Sequence, residues 1–304
     1  MMDIIVKYDT EFMKSGAVFY DGAVSYGGAG NVAVDASTLG LKTSMVAKVG
    51  RDPLGRLFMD DLLKHNVVPQ LAFDDVSYTG FLVSLLHQDS ERSFLVCRGA
   101  NDKLSPKDID KAFEGARPGI VFIQGYGIGS PQRRALLYAA RKARDFCATV
   151  IYDPASYNIV QAHRNFVIDN LMRYVDICLP NLEEAKALTG RSDLESMGRT
   201  LAGLVPLAIV KLGADGAAIV PRGEEISYYK PQRVKPTNTT GAGDAFASAI
   251  IYGLSKGFSH DLTMKIANWV AAKKIQSLDS RLTIERRQFT KLRVGLQRDQ
   301  RTRR

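Results

Sequence analysis

From residue 119 onward, apolar and polar positions switch between two periods. "IVFIQ" is an unbroken apolar run of strand length, and "PQRRALLYAARKARDF" repeats its apolar residues at helical spacing behind a first-turn proline. Then come "ATVIYD", a helical stretch around 166–173, "DICLP", the helix "EEAKALTG" and one further helix. "LAIVK" and "GAAIV" read as a strand pair across the turn at 212–216. Such alternation predicts a mostly parallel central sheet with helices on both faces.

The first hundred residues are mixed. "NVAVDASTLG" and "LGRLFMDDLLKHN" read as helices and "TSMVAKVG" as a strand, whereas "SYTGFLVSLL" and "RSFLVC", joined by "HQDSE", read as a hairpin. "DIIVKYD" and "AVFYDGAVSY" supply further strands of the same small sheet. The expected organisation is an α/β domain over 1–285 carrying a small β-sheet lid, its strands within about 4–26 and 77–98, and then a basic helix or tail over 286–304. There is no internal repeat and no low-complexity linker.

Composition narrows the function classes. No apolar run approaches the ~20 residues of a membrane helix, and the opening "MMDIIVKYD" is charged too early for a signal peptide. A cytoplasmic protein is expected. Cys97, Cys147 and Cys178 lie far apart in apolar runs, which predicts three buried thiols, and the 4 histidines show no metal-site spacing. The net charge of +9 suggests a polyanion partner, but 8 basic residues and one aspartate after residue 285 account for +7 of it. A terminal basic run of this kind reads as a solvated helix, so nucleic acid is not the expected partner.

The chemistry concentrates in "NTTGAGDAFASAI", residues 238–250. Phe246, Ala247, Ile250, Ile251 and Leu254 form a helical apolar stripe, with Thr239 or Thr240 as the expected N-cap. The N–H groups of Gly241, Ala242 and Gly243 then point out of the helix end, where bare amides and the helix dipole attract an anion. Asp244 is either a favourable first-turn charge or a base beside an anion hole, the pairing that phosphoryl transfer uses.

"GGAGNVAVDASTLG" and "NTTGAGDAF", with "PNLEEAKALTG" and "KLGADGA" between them, resemble the signature motifs of the ribokinase-like (PfkB) family of carbohydrate and nucleoside kinases. They stand in family order, and the resemblance covers residues 3–285. It implies an ATP- and Mg2+-dependent transfer of phosphate to a hydroxyl of a sugar or nucleoside. By this resemblance Asp244 matches the catalytic base and Gly241, Ala242 and Gly243 the anion hole. Asn181 and Glu184 match the pair that organises magnesium through water, with no direct metal ligand. Lys211, Gly213, Gly216 and Asn268 match positions lining the nucleotide. Gly27, Gly28 and Asn31 match the sugar-binding motif, the asparagine amide bonding a sugar hydroxyl, and Arg98 stands where it can touch substrate. The small sheet resembles the family's lid, whose edge can pair two subunits into a dimer.

Two departures stand out. The resembled family begins with an apolar strand before a substrate-binding aspartate; here Asp3, 24 residues ahead of Gly27, takes that aspartate's place and the strand is absent. The central sheet is therefore expected to have an unfilled position, a hazard for stability and aggregation. Asn238 replaces a frequent aspartate in a loop that often helps hold a monovalent cation, and "IQSLDSRLTIE" lacks the usual glycine. Activity nearly independent of K+ is expected.

Rival readings are weaker. "IVFIQGYGIGS" with Asp153 imitates a dinucleotide site, but Ser130 and Pro131 break its third small position. "GRDPLGRL" approaches a P-loop, yet Arg56 and Leu57 replace the Lys and Ser/Thr that grip phosphate. The rival from another class is a sugar- or nucleoside-binding regulatory protein that kept the fold without the activity.

Overall fold

The computed structural model describes residues 2–7, 21–86 and 92–302. Side chains are described for 27–83, 95–285 and 287–298. The side chain of Asp3 therefore lies outside the described residues.

Twelve described strands form three sheets. In the largest, β7 (Ile120–Gln124), β8 (Thr149–Asp153), β9 (Ile177–Cys178) and β10 (Leu207–Lys211) run parallel, and β11 (Ala217–Pro221) and β12 (Ser227–Tyr229) extend it antiparallel. Its residues alternate between two cores. Ile151, Ile177, Ile209 and Ile219 face one, while Val150, Tyr152, Cys178, Ala208, Val210 and Val220 face the other. Burial on both faces is why these strands read as continuous apolar runs rather than alternating ones.

The first core is covered by α8 (Ala242–Ser255) and α9 (His260–Ile275), and the second by α4 (Arg133–Ala143), α5 (Tyr157–Phe166), α6 (Leu182–Thr189) and α7 (Leu194–Leu204). The helical stretch expected at 166–173 is the end of a longer run. It starts at Tyr157, and a π-helical turn at Val167–Leu171 follows α5.

The small sheet expected to serve as a lid has four strands in the order β2 (Asp21–Tyr26), β1 (Met2–Lys7), β5 (Phe81–Leu86), β6 (Arg92–Cys97). β1 pairs antiparallel with β2 and parallel with β5, and β5 and β6 form the hairpin. The chain ends in α10 (Arg286–Thr302).

The remaining pair, β3 (Thr43–Gly50) and β4 (Val67–Asp74), stands apart from the large sheet. Among the described residues β3 pairs with β4 alone and β7 with β8 alone. Between β3 and β7 lies a cavity of about 1540 Å³ that touches 43–49 and 119–124 without skipping a residue. Successive strand residues point to opposite faces, so a space touching all of them lies in the plane of the sheet, against the hydrogen-bonding edges.

The expectation of three buried thiols needs correction. Cys178 is buried, but Cys97 and Cys147 are exposed. Cys147 occupies a left-handed turn position (φ 52°) entering β8, and Cys97 closes a lid strand whose neighbours Leu95 and Val96 are exposed as well. Apolar neighbours in sequence do not bury a residue at a turn or on a thin sheet.

Candidate active site

Asp244 is the third residue of α8 and faces the cavity that Gly27, Gly28, Asn31, Arg98 and Gly241 also line. Two amides hold its carboxylate. Asn31 Nδ2 donates to Oδ2 at 3.2 Å, and Gln124 Nε2 donates to Oδ1 at 3.1 Å. Burial, then the nearby Asp153 charge, pushes Asp244 up to about 7, against the pull of Asn31, Lys211 and Gln124. A carboxylate held this way is half protonated near neutral pH, where a general base works best.

The helix entrance differs from expectation. Neither Thr239 nor Thr240 caps α8; the N-cap is Gly241, at φ +81° with no side-chain cap. Asn238 Oδ1 accepts from Thr240 N at 3.0 Å and so shapes the loop before the helix. A β-carbon on Gly241 would stand 2.0 Å from Ser280 O, so only glycine fits. The Ala242 amide is used within the turn, donating to Thr239 O at 3.2 Å. Among the described residues it is the amides of Gly241, Gly243 and Asp244 that carry no hydrogen bond. Of the three amides that the sequence reading exposed, Gly241 and Gly243 remain, Ala242 is used in the turn, and Asp244 joins them.

On the other side of α8 stands Lys211, at the carboxyl end of β10. Its Nζ pairs with Asp153 Oδ2 at 2.6 Å, and a β-carbon on Gly243 would lie 3.8 Å from it. Burial works against this ammonium, but Asp153 and Glu184 more than offset it and its pKa is raised. Glu184 is buried, and burial raises its pKa too. It forms a capping box with Asn181: both of its oxygens accept from Asn181, at 2.9 Å each, and its own N–H donates to Asn181 Oδ1 at 2.8 Å. Gly213 and Gly216 form the turn after β10 with φ +61° and +93°. Asn268 is buried on α9 and donates to Tyr229 O at 2.7 Å, bracing β12. Asn181, Glu184, Lys211, Gly213, Gly216 and Asn268 are not part of the cavity wall; Lys211 links their side of α8 to Gly243.

Asn31 lines the cavity and makes two contacts that its motif did not announce. It is buried, with Nδ2 on Asp244 and Oδ1 accepting from Arg281 Nε at 2.9 Å. Arg281 in turn pairs with Asp61, at 2.8 Å. The chain Asp61–Arg281–Asn31–Asp244 fixes which way the amide turns. Gly28, at φ +63°, caps α1 (Ala29–Thr38) and passes so close to Gln124 that a β-carbon would meet Oε1 at 2.7 Å. Arg98 is anchored by Asp102 at 2.7 Å and Ser130 at 3.1 Å rather than free in solvent.

Sequence reasoning missed Gln124 and Arg281. Gln124 ends a parallel strand just before the glycines at 125 and 127, and strand ends of that kind border ligand clefts in open α/β sheets. That signal was present. The glycine-rich loop itself lines the cavity through Tyr126 and Gly127, while Asp153 is occupied by Lys211, so the dinucleotide look-alike belongs to the pocket wall.

Asp35 lies behind Asn31, fully buried, accepting from Leu282 N at 2.9 Å. Burial lifts it to about 7, with Asp244 adding to the rise. Because this folded-state value lies above the unfolded one, the stability it contributes is complete below about pH 4 and is lost as pH rises through about 7. Asp35→Asn should flatten that decline, which thermal melts between pH 4 and 8 would read directly.

Comparison with known proteins identifies the family and the fold. The description of the pfkB family carbohydrate kinases matches residues 2–287. An uncharacterised sugar kinase of Archaeoglobus fulgidus is 28% identical over 251 residues, 81% of this chain and 96% of that protein. The crystal structure of a probable sugar kinase from Rhizobium etli CFN 42 superposes with a TM-score of 0.83 at 26% identity, covering 97% of this chain and 96% of the other. Arabidopsis thaliana ribokinase complexed with ribose and ATP gives 0.79 at 25% identity, with 96% and 95% covered. The fold is ribokinase-like, and the chain belongs to the pfkB family of carbohydrate kinases.

Proposed function

We propose that this protein transfers the γ-phosphoryl group of ATP to a hydroxyl of a sugar or sugar-like acceptor bound in the cavity. Asp244 takes the hydroxyl proton as the new O–P bond forms. The bond from the γ-phosphorus to the β–γ bridging oxygen breaks, and ADP leaves. The amides of Gly241, Gly243 and Asp244 receive the charge on the transferred group, with Lys211 beside Gly243. The observation that carries this reading is a carboxylate pinned by two amide donors at the same helix start whose own N–H groups are unpartnered.

ATP brings magnesium, which neutralises phosphate charge when bound. Among the described residues no group of three or more His, Cys, Asp or Glu side chains could hold a metal directly. Glu184, whose oxygens are taken by Asn181, fits contact through the metal's water shell. Lys211, Gly213, Gly216 and Asn268 form the nucleotide side in this reading, and Gly27, Gly28, Asn31, Arg98 and Asp3 the sugar side. Ala242 contributes its small side chain rather than its amide.

No described helix is long and apolar enough to cross a membrane. The edge strand β6, with exposed Leu95 and Val96, offers a surface for pairing two lids into a dimer.

The deciding experiment is ADP release across a panel of fructose, ribose, keto-deoxy sugars and nucleosides; a wild-type protein silent on all of them would favour the binding-protein reading. On the active substrate, kcat/KM should fall tenfold per pH unit on the acid side, with an apparent pKa near 7, because protonated Asp244 cannot accept a proton. Asp35 and Asp153 interact with it, so the limb belongs to the carboxylate cluster. A rate level down to pH 5 would show that the base ionises well below 7, with Asp244→Asn left to decide whether Asp244 is that base.

A further inference from the structure

Lys274 is a fully buried cation that the proposed chemistry leaves unused. It lies in the last turn of α9, and its Nζ donates to the backbone oxygen of Asn238 at 2.9 Å. Its Cε is 3.5 Å from the point where a β-carbon on Gly241 would stand. The ammonium therefore sits behind the loop that delivers the chain into the anion-binding turn. The same loop is pinned to α9 from the other side. Thr237 N and Asn238 N both donate to Ile275 O, at 2.7 and 3.1 Å, and Asn238 Nδ2 donates to Leu278 O at 2.8 Å. Ser280 O presses against Gly241.

Burying an ammonium is unfavourable unless oxygens replace its water. A backbone carbonyl in a tight loop is the oxygen that would coordinate a bare monovalent cation. The ammonium group is close to K+ in size and carries the same charge, but here it is tethered to the chain.

We propose that Lys274 is a positioning residue for phosphoryl transfer, a built-in monovalent cation that fixes the 237–241 loop and places positive charge behind the Gly241 and Gly243 amides. It rests on the kinase reading above. It also accounts for why the loop, with Asn238 and no glycine downstream, needs no cation from solution. Wild-type turnover should be the same in Na+ and K+.

The test compares two variants in matched ionic strength. Lys274→Ala removes the charge and leaves room; Lys274→Met removes the charge and keeps most of the volume. Both should lose at least ~10-fold in kcat, since a preorganised electrostatic contribution is lost. K+ or NH4+ should restore Lys274→Ala in part, tetramethylammonium should not, and Lys274→Met should stay low in every salt. Wild-type kcat in either variant overturns the proposal. So does a loss in Lys274→Ala that is the same in all salts, because a purely structural lysine gives that result.

Should neither variant fold, the wild-type protein decides: more than a twofold gain in rate from Na+ to K+ overturns the idea, and equal rates support it. Failure of the kinase reading is distinguishable, because no panel substrate would then release ADP. ATP binding by calorimetry reads Lys274 in that case. An affinity weakened in Lys274→Ala and recovered by K+ supports the proposal, and an unchanged affinity rejects it.

Discussion

Asp244→Asn should lower substrate-dependent ADP release at least ~100-fold while the protein melts no lower than wild type at pH 8. The loss follows from removing the group that the proposal assigns to take the hydroxyl proton, since general-base catalysis contributes ~10²–10⁴-fold. The stability half follows from the sign of the pKa shift. Asp244 titrates at about 7 when folded and at 3.8 as a free side chain. Its ionisation therefore opposes folding, and the stability it gives below about pH 4 is gone once pH exceeds 7. An asparagine does not ionise and avoids that loss, although one of the two donors, Asn31 or Gln124, must turn its amide to suit. An active, stable Asp244→Asn protein would end the base assignment; an inactive, unfolded one would show that the pinning network matters more than the proton.

Gly241→Ala is the second large effect. The backbone at this position has φ +81°, which costs an alanine ~1–2 kcal/mol. The new methyl would also start 2.0 Å from the Ser280 carbonyl. The loop has to shift by about an ångström, and misplacement on that scale costs ~10²-fold in rate even when no catalytic atom is removed. The expected result is a fall in kcat of at least ~100-fold together with a drop in stability of a few kcal/mol. Denaturant unfolding alongside the kinetics separates the two components. Gly243→Ala makes a useful contrast, because its β-carbon would find Lys211 Nζ at an ordinary 3.8 Å and the backbone is not strained.

Some of this site was legible in the residues and some was not, for physical reasons. The run at 241–244 can be read because its chemistry is local: glycine, a helix start and a first-turn carboxylate lie within four positions. The Asn181–Glu184 capping box is readable on the same ground. The cap of α8 was misjudged because threonine is a good N-cap in isolation, whereas here Asn238 shapes the turn first. Asn31 was found, but its contacts with Asp244 and Arg281 were not. Nothing near it in sequence shows that Arg281, 250 residues away, would claim its oxygen. Lys274 looks like any lysine at the end of a helix, where such a residue normally reaches solvent; only packing against the 237–241 loop buries it. Local motifs announce the reacting groups, and the groups that aim them come from distant parts of the chain.

The opening between β3 and β7 has a mechanical consequence. Gly28 and Asn31 stand at the start of α1, whose Val34 packs with β3 and β4 while its Val32 and Leu39 join the first core; Gln124 ends β7 of the large sheet, and Asp244 opens α8 against that core. No ladder of backbone bonds welds these two walls together among the described residues. Helix contacts between α1 and α8, and the amides that grip one carboxylate, act as the joint. Among the described residues the width of the cavity rests on those contacts, and an extended segment laid along both bare edges would add backbone bonds between its walls.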